Sequence, residues 1–348
     1  MSATEFTEEE QSRYDRQIRL WGIEAQQRMR NAAILVVRLQ GTATEVIKNI
    51  VLAGIGKLVM VDDADVTEED LGAGFFYRDE DVGQKRVIAA KSRVEGLNPL
   101  VTVEAITTLT LLDEAALEQT LGSVDLVCVT DWDRDGLIRV NDVCRRLRIP
   151  FYCGGTYGVV GYIFCDLLNH EYIAPDRTAP NTAQKNIKVT AAYSPLRDAL
   201  RHKWSALTKR QTKELNPSVL FMILALWEFQ SIHNGVLPDS VAQVEELETI
   251  ANAMIAATDV NKQVLTAIPR DLAEQVTSFT FGLFSSESAF RSISTTAGHE
   301  FSPVCAIVGG MLAQDILKSL AGREPPIANF LTFDGNTGGA TVARMNMA

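Results

Sequence analysis

The sequence predicts an α/β fold: a doubly wound, largely parallel sheet interrupted by a mostly helical insertion. Three observations carry this. Apolar runs of strand type alternate with helical periodicities from residue 32 to residue 167. The opening unit, Ala32 to Asp62, has the strand–helix–strand layout of a nucleotide-binding βαβ motif, so the sheet is of Rossmann type. The alternation then stops, helical spacing takes over, and strand character returns only near the C-terminus.

Taken in order, Thr7-Glu-Glu-Glu10 has the form of a capping box that opens a helix. That helix carries Arg13-Tyr-Asp-Arg-Gln-Ile-Arg-Leu-Trp-Gly22, dense in arginine and aromatic residues and placed before the first strand. Residues 1–31 therefore read as a helical arm outside the sheet. A charged helix in solvent fits this composition. So does an arm docking onto another molecule, with Arg16 or Arg19 reaching a phosphate or carboxylate.

Ala33-Ile-Leu-Val-Val37 is the first strand, Val46 to Ala53 has helical spacing, and Gly54 and Gly56 close that helix. Lys57-Leu-Val-Met-Val-Asp62 is the second strand. Between strand and helix a working unit has G-x-G-x-x-G, whose bare backbone lets a diphosphate approach. Here those positions are Arg38, Gln40 and Ala43, and Gly41 is off pattern. The scaffold of a nucleotide site is present with its floor blocked. Asp62 stands where an acidic residue binds a ribose hydroxyl, or where it caps a strand end.

Val82-Gly-Gln-Lys-Arg86 leads into a helix ending at Asn98-Pro99, and Val101 to Ile106 is a third strand. A helix over 113–120 precedes a fourth strand, Val124 to Val129, and Asp131-Trp-Asp-Arg-Asp135 starts another helix. Pro150 to Gly154 and Val159 to Leu167 are the fifth and sixth strands. Residues 168–299 read as the insertion, with an exposed loop over 176–188 and an apolar helix from Ser218 to His233. An amphipathic helix from Asp239 to Ala257 and a mobile Ser/Thr-rich loop over 285–296 follow. Residues 300–348 return to the sheet domain through a helix over 303–318 rich in small residues. A terminal hairpin over 330–344 ends the chain.

A formal charge of −11 argues against nucleic acid and anionic membrane as partners. No apolar run reaches the roughly 18 residues needed to span a bilayer. The acidic start, Met1 to Glu10, resembles neither a signal nor a transit peptide. Five cysteines without a C-x-x-C pair and four scattered histidines give no metal site; they read as reduced thiols of an intracellular protein. Cys153 and Cys165 are the cysteines for which a nucleophilic role stays open.

With these stretches in view, the chain resembles the ubiquitin-activating enzyme superfamily, related to the bacterial ThiF and MoeB adenylating enzymes. The resemblance rests on Arg13 to Gly22, Glu45-Val-Ile-Lys-Asn-Ile-Val-Leu-Ala-Gly54, and Val82-Gly83 with Leu97-Asn-Pro99. It rests also on Pro303-Val-Cys-Ala-Ile-Val-Gly-Gly310, Pro325-Pro326 and Phe333-Asp-Gly335. Within the superfamily it is most similar to the smaller, regulatory subunits of SUMO-activating enzymes. Residues 32–167 and 300–348 would then be two parts of a pseudo-adenylation domain.

The resemblance implies a heterodimer in which the catalytic subunit binds ATP and Mg²⁺. That subunit adenylates the modifier's C-terminal glycine, takes it onto a cysteine as a thioester, and carries the zinc motifs. This chain would bind no cofactor of its own. The Asn-x-x-Arg-Gln motif of active halves is missing between Thr67 and Phe75, and the lysine expected after Gly83 falls at Arg86. Arg38 departs even from regulatory subunits, which keep a glycine there.

Gly41, Asp62, Arg86 and Asp133 would form a vestigial nucleotide site, Asp133 matching the metal-associated aspartate. Arg16 matches the arginine that crosses to the partner's ATP. Arg13, Tyr14, Asp15, Gln17, Leu20 and Trp21 would line the partner interface. The implied partners are the catalytic subunit and, through the complex, a SUMO-type modifier, with no nucleic acid or membrane. The implied location is nucleus and cytoplasm, although Lys203 to Lys213 is a sparse basic run.

The alternatives are the regulatory half of another ubiquitin-like modifier's activating enzyme and a non-enzymatic scaffold on an adenylation-type fold. An NAD-dependent oxidoreductase and a homodimeric ThiF-like enzyme would both need the glycine loop this chain lacks.

Overall fold

A computed structural model of the chain describes residues 6–109, 114–175, 186–277 and 297–347. The first half runs α1 (Glu8–Trp21), α2 (Ile23–Asn31), β1 (Ala33–Val37), α3 (Gly41–Leu52), β2 (Lys57–Val61), α4 (Asp70–Ala73) and α5 (Arg86–Leu97). It continues with β3 (Thr102–Ile106), α6 (Glu114–Leu121), β4 (Leu126–Thr130), α7 (Arg134–Leu147), β5 (Phe151–Tyr157) and β6 (Val160–Asp166). Then come β7 (Asn169–Pro175), β8 (Asn186–Ala192), α8 (Leu196–Ala199), α9 (Lys209–Glu214), α10 (Pro217–Ile232) and α11 (Val244–Ala257). The chain closes with α12 (Arg270–Thr277), α13 (Ser302–Ala321), β9 (Phe330–Asp334) and β10 (Gly339–Ala343).

Eight strands form one sheet in the order β10-β9-β6-β5-β4-β1-β2-β3. The five from β5 to β3 are parallel, whereas β6, β9 and β10 join antiparallel. The order reverses at β1, which pairs β2 on one side and β4 on the other. That switch point opens a crevice at the carboxyl ends of the strands. β1 and β4 are apolar and buried because helices cover both faces of a parallel sheet. Leu35, Val37, Val127 and Val129 enter one core; Ile34, Val36, Leu126 and Cys128 enter the other.

The predicted insertion differs from expectation in two respects. It contains a hairpin, β7 with β8, paired from Asn169↔Ala192 to Pro175↔Asn186. A two-stranded ribbon has no fully buried face, and Ile173 and Ile187 point to solvent, so the usual alternation is missing. Its apolar helix α10 is also part of the main body, packing on α7, β6 and β9 and covering one face of the sheet.

On the opposite face α13 lies against α3, β5 and β6. The small residues predicted to permit close packing do so at Gly309, where an added Cβ would stand 2.7 Å from Glu45 Cβ and 2.8 Å from the Thr42 carbonyl oxygen. By length and hydropathy α13 could cross a membrane, contrary to the sequence expectation. Its apolar residues are spent on the core: Val308, Leu312, Ala313 and Ile316 are fully buried. The predicted loop over 285–296 lies outside the described residues.

Candidate functional site

The arm is built from its capping box outward. Thr7 N donates to Glu10 Oε2 at 2.8 Å and Glu10 N donates to Thr7 Oγ1 at 3.2 Å, satisfying two amides that a helix start leaves free. Glu10 also pairs with Arg30 at 2.7 Å, tying α1 to α2.

Tyr14, expected at the partner interface, is only 3% exposed, and its hydroxyl accepts a hydrogen bond from Asn98 Nδ2 at 2.8 Å, so it anchors the arm to this chain's own body. Trp21 likewise rests against the α3-side core.

What the arm leaves outside is specific. Arg13 pairs with Glu9 at 3.7 Å and Arg19 with Asp15 at 3.0 Å, each one helical turn away. Arg16 is exposed and, among the described residues, has no ion pair. Leu20, at 73% exposure, and Ile23 stand apolar beside it in the sequence. Gln17 is half-buried, and its amide oxygen has no hydrogen-bond partner among the described residues.

The crevice at the switch point is shaped by the residues that replaced the glycines. Arg38 adopts a left-handed backbone, φ 66°, the conformation glycine adopts without strain. Its carbonyl accepts from Thr130 Oγ1 at 2.8 Å, and its guanidinium lies 6.0 Å over the Trp132 ring. Gln40 precedes α3 without a side-chain cap. The cap comes from the far end of the chain. Glu300 Oε2 accepts from Gly41 N at 2.7 Å and Glu300 Oε1 from Thr42 N at 3.3 Å.

The four residues expected at a vestigial nucleotide site have other partners. Gly41 is bound to Glu300 as described. Asp62 Oδ2 accepts from Leu39 N at 2.7 Å and Oδ1 from Ala64 N at 3.0 Å, so it caps the strand end. Arg86 makes a two-pronged pair with Asp70, Nε to Oδ2 and Nη2 to Oδ1 each at 3.0 Å, and approaches Asp62 at 3.5 Å. Asp133 caps α7 by accepting from Gly136 N at 2.9 Å.

The carboxyl near the crevice is instead Asp131, two residues earlier at the end of β4. Its Oδ1 accepts from Thr156 N at 3.1 Å, while Oδ2 is buried without a hydrogen-bond partner among the described residues. The Thr42 hydroxyl is in the same condition. Burial, reinforced by the nearby Glu300 charge, pushes Asp131 well above the usual carboxylate range. Glu300 is raised as well, chiefly by burial of its carboxylate, against the opposing pull of the Gly41 and Thr42 amides.

Asp131, Thr42 and Glu300 escaped the sequence reading because no local spacing joins them. The Gly41 and Thr42 amides, at the helix start where such folds hold a phosphate, are taken by Glu300, and Arg86 is committed to two aspartates.

All five cysteines are buried and free, and burial raises the thiols of Cys153 and Cys165 far above their ordinary value, the opposite of the shift that activates a nucleophile. Cys305 lies 3.5 Å from Thr156 Oγ1 and is held protonated in the same way. Among the described residues no group of three or more His, Cys, Asp or Glu is arranged to hold a metal ion.

Comparison with known proteins follows this geometry. A family model described as the ThiF family matches residues 14–348. The chain is 32% identical to SUMO-activating enzyme subunit 1 of Homo sapiens, covering 97% of this chain and 95% of that protein. It is 33% identical to the Danio rerio protein of the same name, over 97% and 96%. Among solved structures, E. coli MccB with succinimide aligns with a TM-score of 0.55 at 13% identity, over 96% of this chain and 71% of that one. PaaA aligns at 0.55 and 14% identity, over 99% and 76%. At such identities these two show a shared fold alone.

Proposed function

The chain belongs to the ThiF family, and from that premise we propose that it is the catalytically incomplete half of a heterodimeric SUMO-activating enzyme. ATP and Mg²⁺ are bound by the catalytic partner, which adenylates the modifier and carries it as a thioester. This chain binds neither and supplies Arg16 to the partner's site. The complex acts in the nucleus and cytoplasm.

The observation that carries the reading is the state of Arg16. It projects from a helix fixed to the body by Tyr14–Asn98 and Glu10–Arg30, and its neighbours Arg13 and Arg19 are neutralised where it is not. Adenylate formation builds negative charge on the departing pyrophosphate. A guanidinium held close to that charge stabilises it, and one supplied across an interface does so only in the assembled pair. The rigid mounting matters because a positioned charge has less reorganisation to undergo at the moment of reaction.

The test is modifier-dependent ATP–pyrophosphate exchange by the chain alone and with a candidate catalytic subunit. Silence alone and exchange with the partner is the expected result. Robust exchange by the chain alone overturns the reading. A scaffold would leave exchange unchanged when Arg16 is removed.

A further inference from the structure

We propose that Glu300 is a built-in anion: its carboxylate occupies the place at the first turn of α3 that a nucleotide phosphate takes in a working βαβ unit. The chain is thus closed to nucleotides by its own side chain. It is not merely short of glycines. This deepens the half-enzyme reading, and rests on it only in assigning ATP to the partner.

The first-turn amides of a helix have no partner within the helix, and together with the helix dipole they make the phosphate position of such folds. Glu300 takes two of them, Gly41 N and Thr42 N, from 259 and 258 residues further along the chain. A carboxylate with two amides at a helix start reproduces the charge and the donor geometry of a bound phosphate oxygen pair.

A Cβ placed on Gly41 would stand 2.8 Å from Ala73 Cβ and 3.0 Å from Glu300 Oε2, so this side of the turn is closely packed.

Two of the cations that would favour a polyphosphate, Arg86 and Lys85, are engaged elsewhere, while Arg38 leans over Trp132. Arg86 holds Asp70 and Asp62, and Lys85 pairs with Asp65 at 2.7 Å and with the Asp63 carbonyl at 2.7 Å. Beside Glu300 lies a second carboxyl, Asp131, whose Oδ2 is buried without a hydrogen-bond partner of normal length among the described residues. The Thr42 hydroxyl, wholly buried, lies beside this carboxyl and favours its charged form. An entering anion would have to displace Glu300.

The experiment compares thermal unfolding of the full chain with that of Glu300→Ala and Glu300→Gln. Wild type is expected to show no change in Tm with millimolar Mg-ATP or pyrophosphate. Glu300→Ala is expected to lose about 3–6 °C. Added formate should recover at least half of that loss while leaving wild type unmoved, and formamide, neutral and of similar size, should not. Glu300→Gln keeps the shape and drops the charge, so a smaller Tm loss without response to Mg-ATP is expected. It carries the test if Glu300→Ala does not fold.

The proposal is overturned if Mg-ATP raises the Tm of wild type. It is overturned equally if both variants are as stable as wild type, or if formate and formamide act alike on Glu300→Ala. A chain that binds ATP yet remains silent in exchange would sink this inference and leave the half-enzyme reading standing.

Discussion

The hydroxyl of Tyr14 accepts a hydrogen bond at 2.8 Å from the side-chain amide of Asn98, 84 residues away, and the same amide group donates to the Val51 carbonyl. One asparagine thereby joins the arm, the end of α3 and the end of α5. The arm's aim depends on this junction.

Tyr14→Phe removes one acceptor while Asn98 keeps Val51, so a loss of about 1 kcal/mol is expected. Tyr14→Ala opens a cavity in the same place and is expected to cost about 3–5 kcal/mol. Urea unfolding of the chain separates the two. Exchange activity of the complex should fall with Tyr14→Ala although Arg16 is untouched, because the arm loses its seat.

Gly54 faces the Tyr14 ring. Its φ is +83° and an added Cβ would stand 2.4 Å from Tyr14 Cζ, so Gly54→Ala combines backbone strain with a clash. A destabilisation of about 2–4 kcal/mol is expected in wild type. In a Tyr14→Ala background the clash disappears and only the conformational part, about 1–2 kcal/mol, should remain. Equal effects in both backgrounds would show that the ring is not the obstacle.

Arg16→Ala is expected to leave assembly with the catalytic subunit intact, as read by gel filtration, and to slow pyrophosphate exchange by about 10²-fold or more. Arg16→Lys should recover only part, since an ammonium lacks the fork geometry. Arg19→Ala, which breaks an exposed pair with Asp15 of small worth, should slow exchange far less. Unchanged exchange in Arg16→Ala would favour the scaffold.

Asp315 supplies a pH test. Burial raises it to about 6, against hydrogen bonds from Tyr152 Oη at 2.9 Å and Ile327 N at 2.9 Å. A raised folded-state value means the folded chain binds this proton more tightly than the unfolded one. The stabilisation is therefore complete below the ordinary carboxylate value of 3.8 and is lost as pH rises to about 6, then stays level. The change is at most about 3 kcal/mol. Asp315→Asn should abolish that part of the slope in denaturant unfolding between those limits; an unaltered slope would refute the assignment.

The sequence by itself determined the alternation of strands and helices through residue 166, the capped arm and the blocked loop. Each is encoded within a few residues: apolar periodicity, a Thr7–Glu10 box, an Arg38 where glycine belongs. It also carried the family resemblance, through the arm and the α13 stretch taken together.

Only the tertiary structure decided which groups meet. Tyr14 turns inward because Asn98 and Gly54 arrive beneath it from other elements. Asp131 takes the crevice and Asp133 the helix cap, a two-residue distinction set by where β4 ends and α7 begins. The β7–β8 ribbon escaped notice for want of a buried face. Glu300 reaches α3 because α13 packs along that helix and brings the preceding segment to its first turn. Periodicity and capping act over a few residues, whereas contact between positions 259 apart is fixed only when sheet and helices pack together.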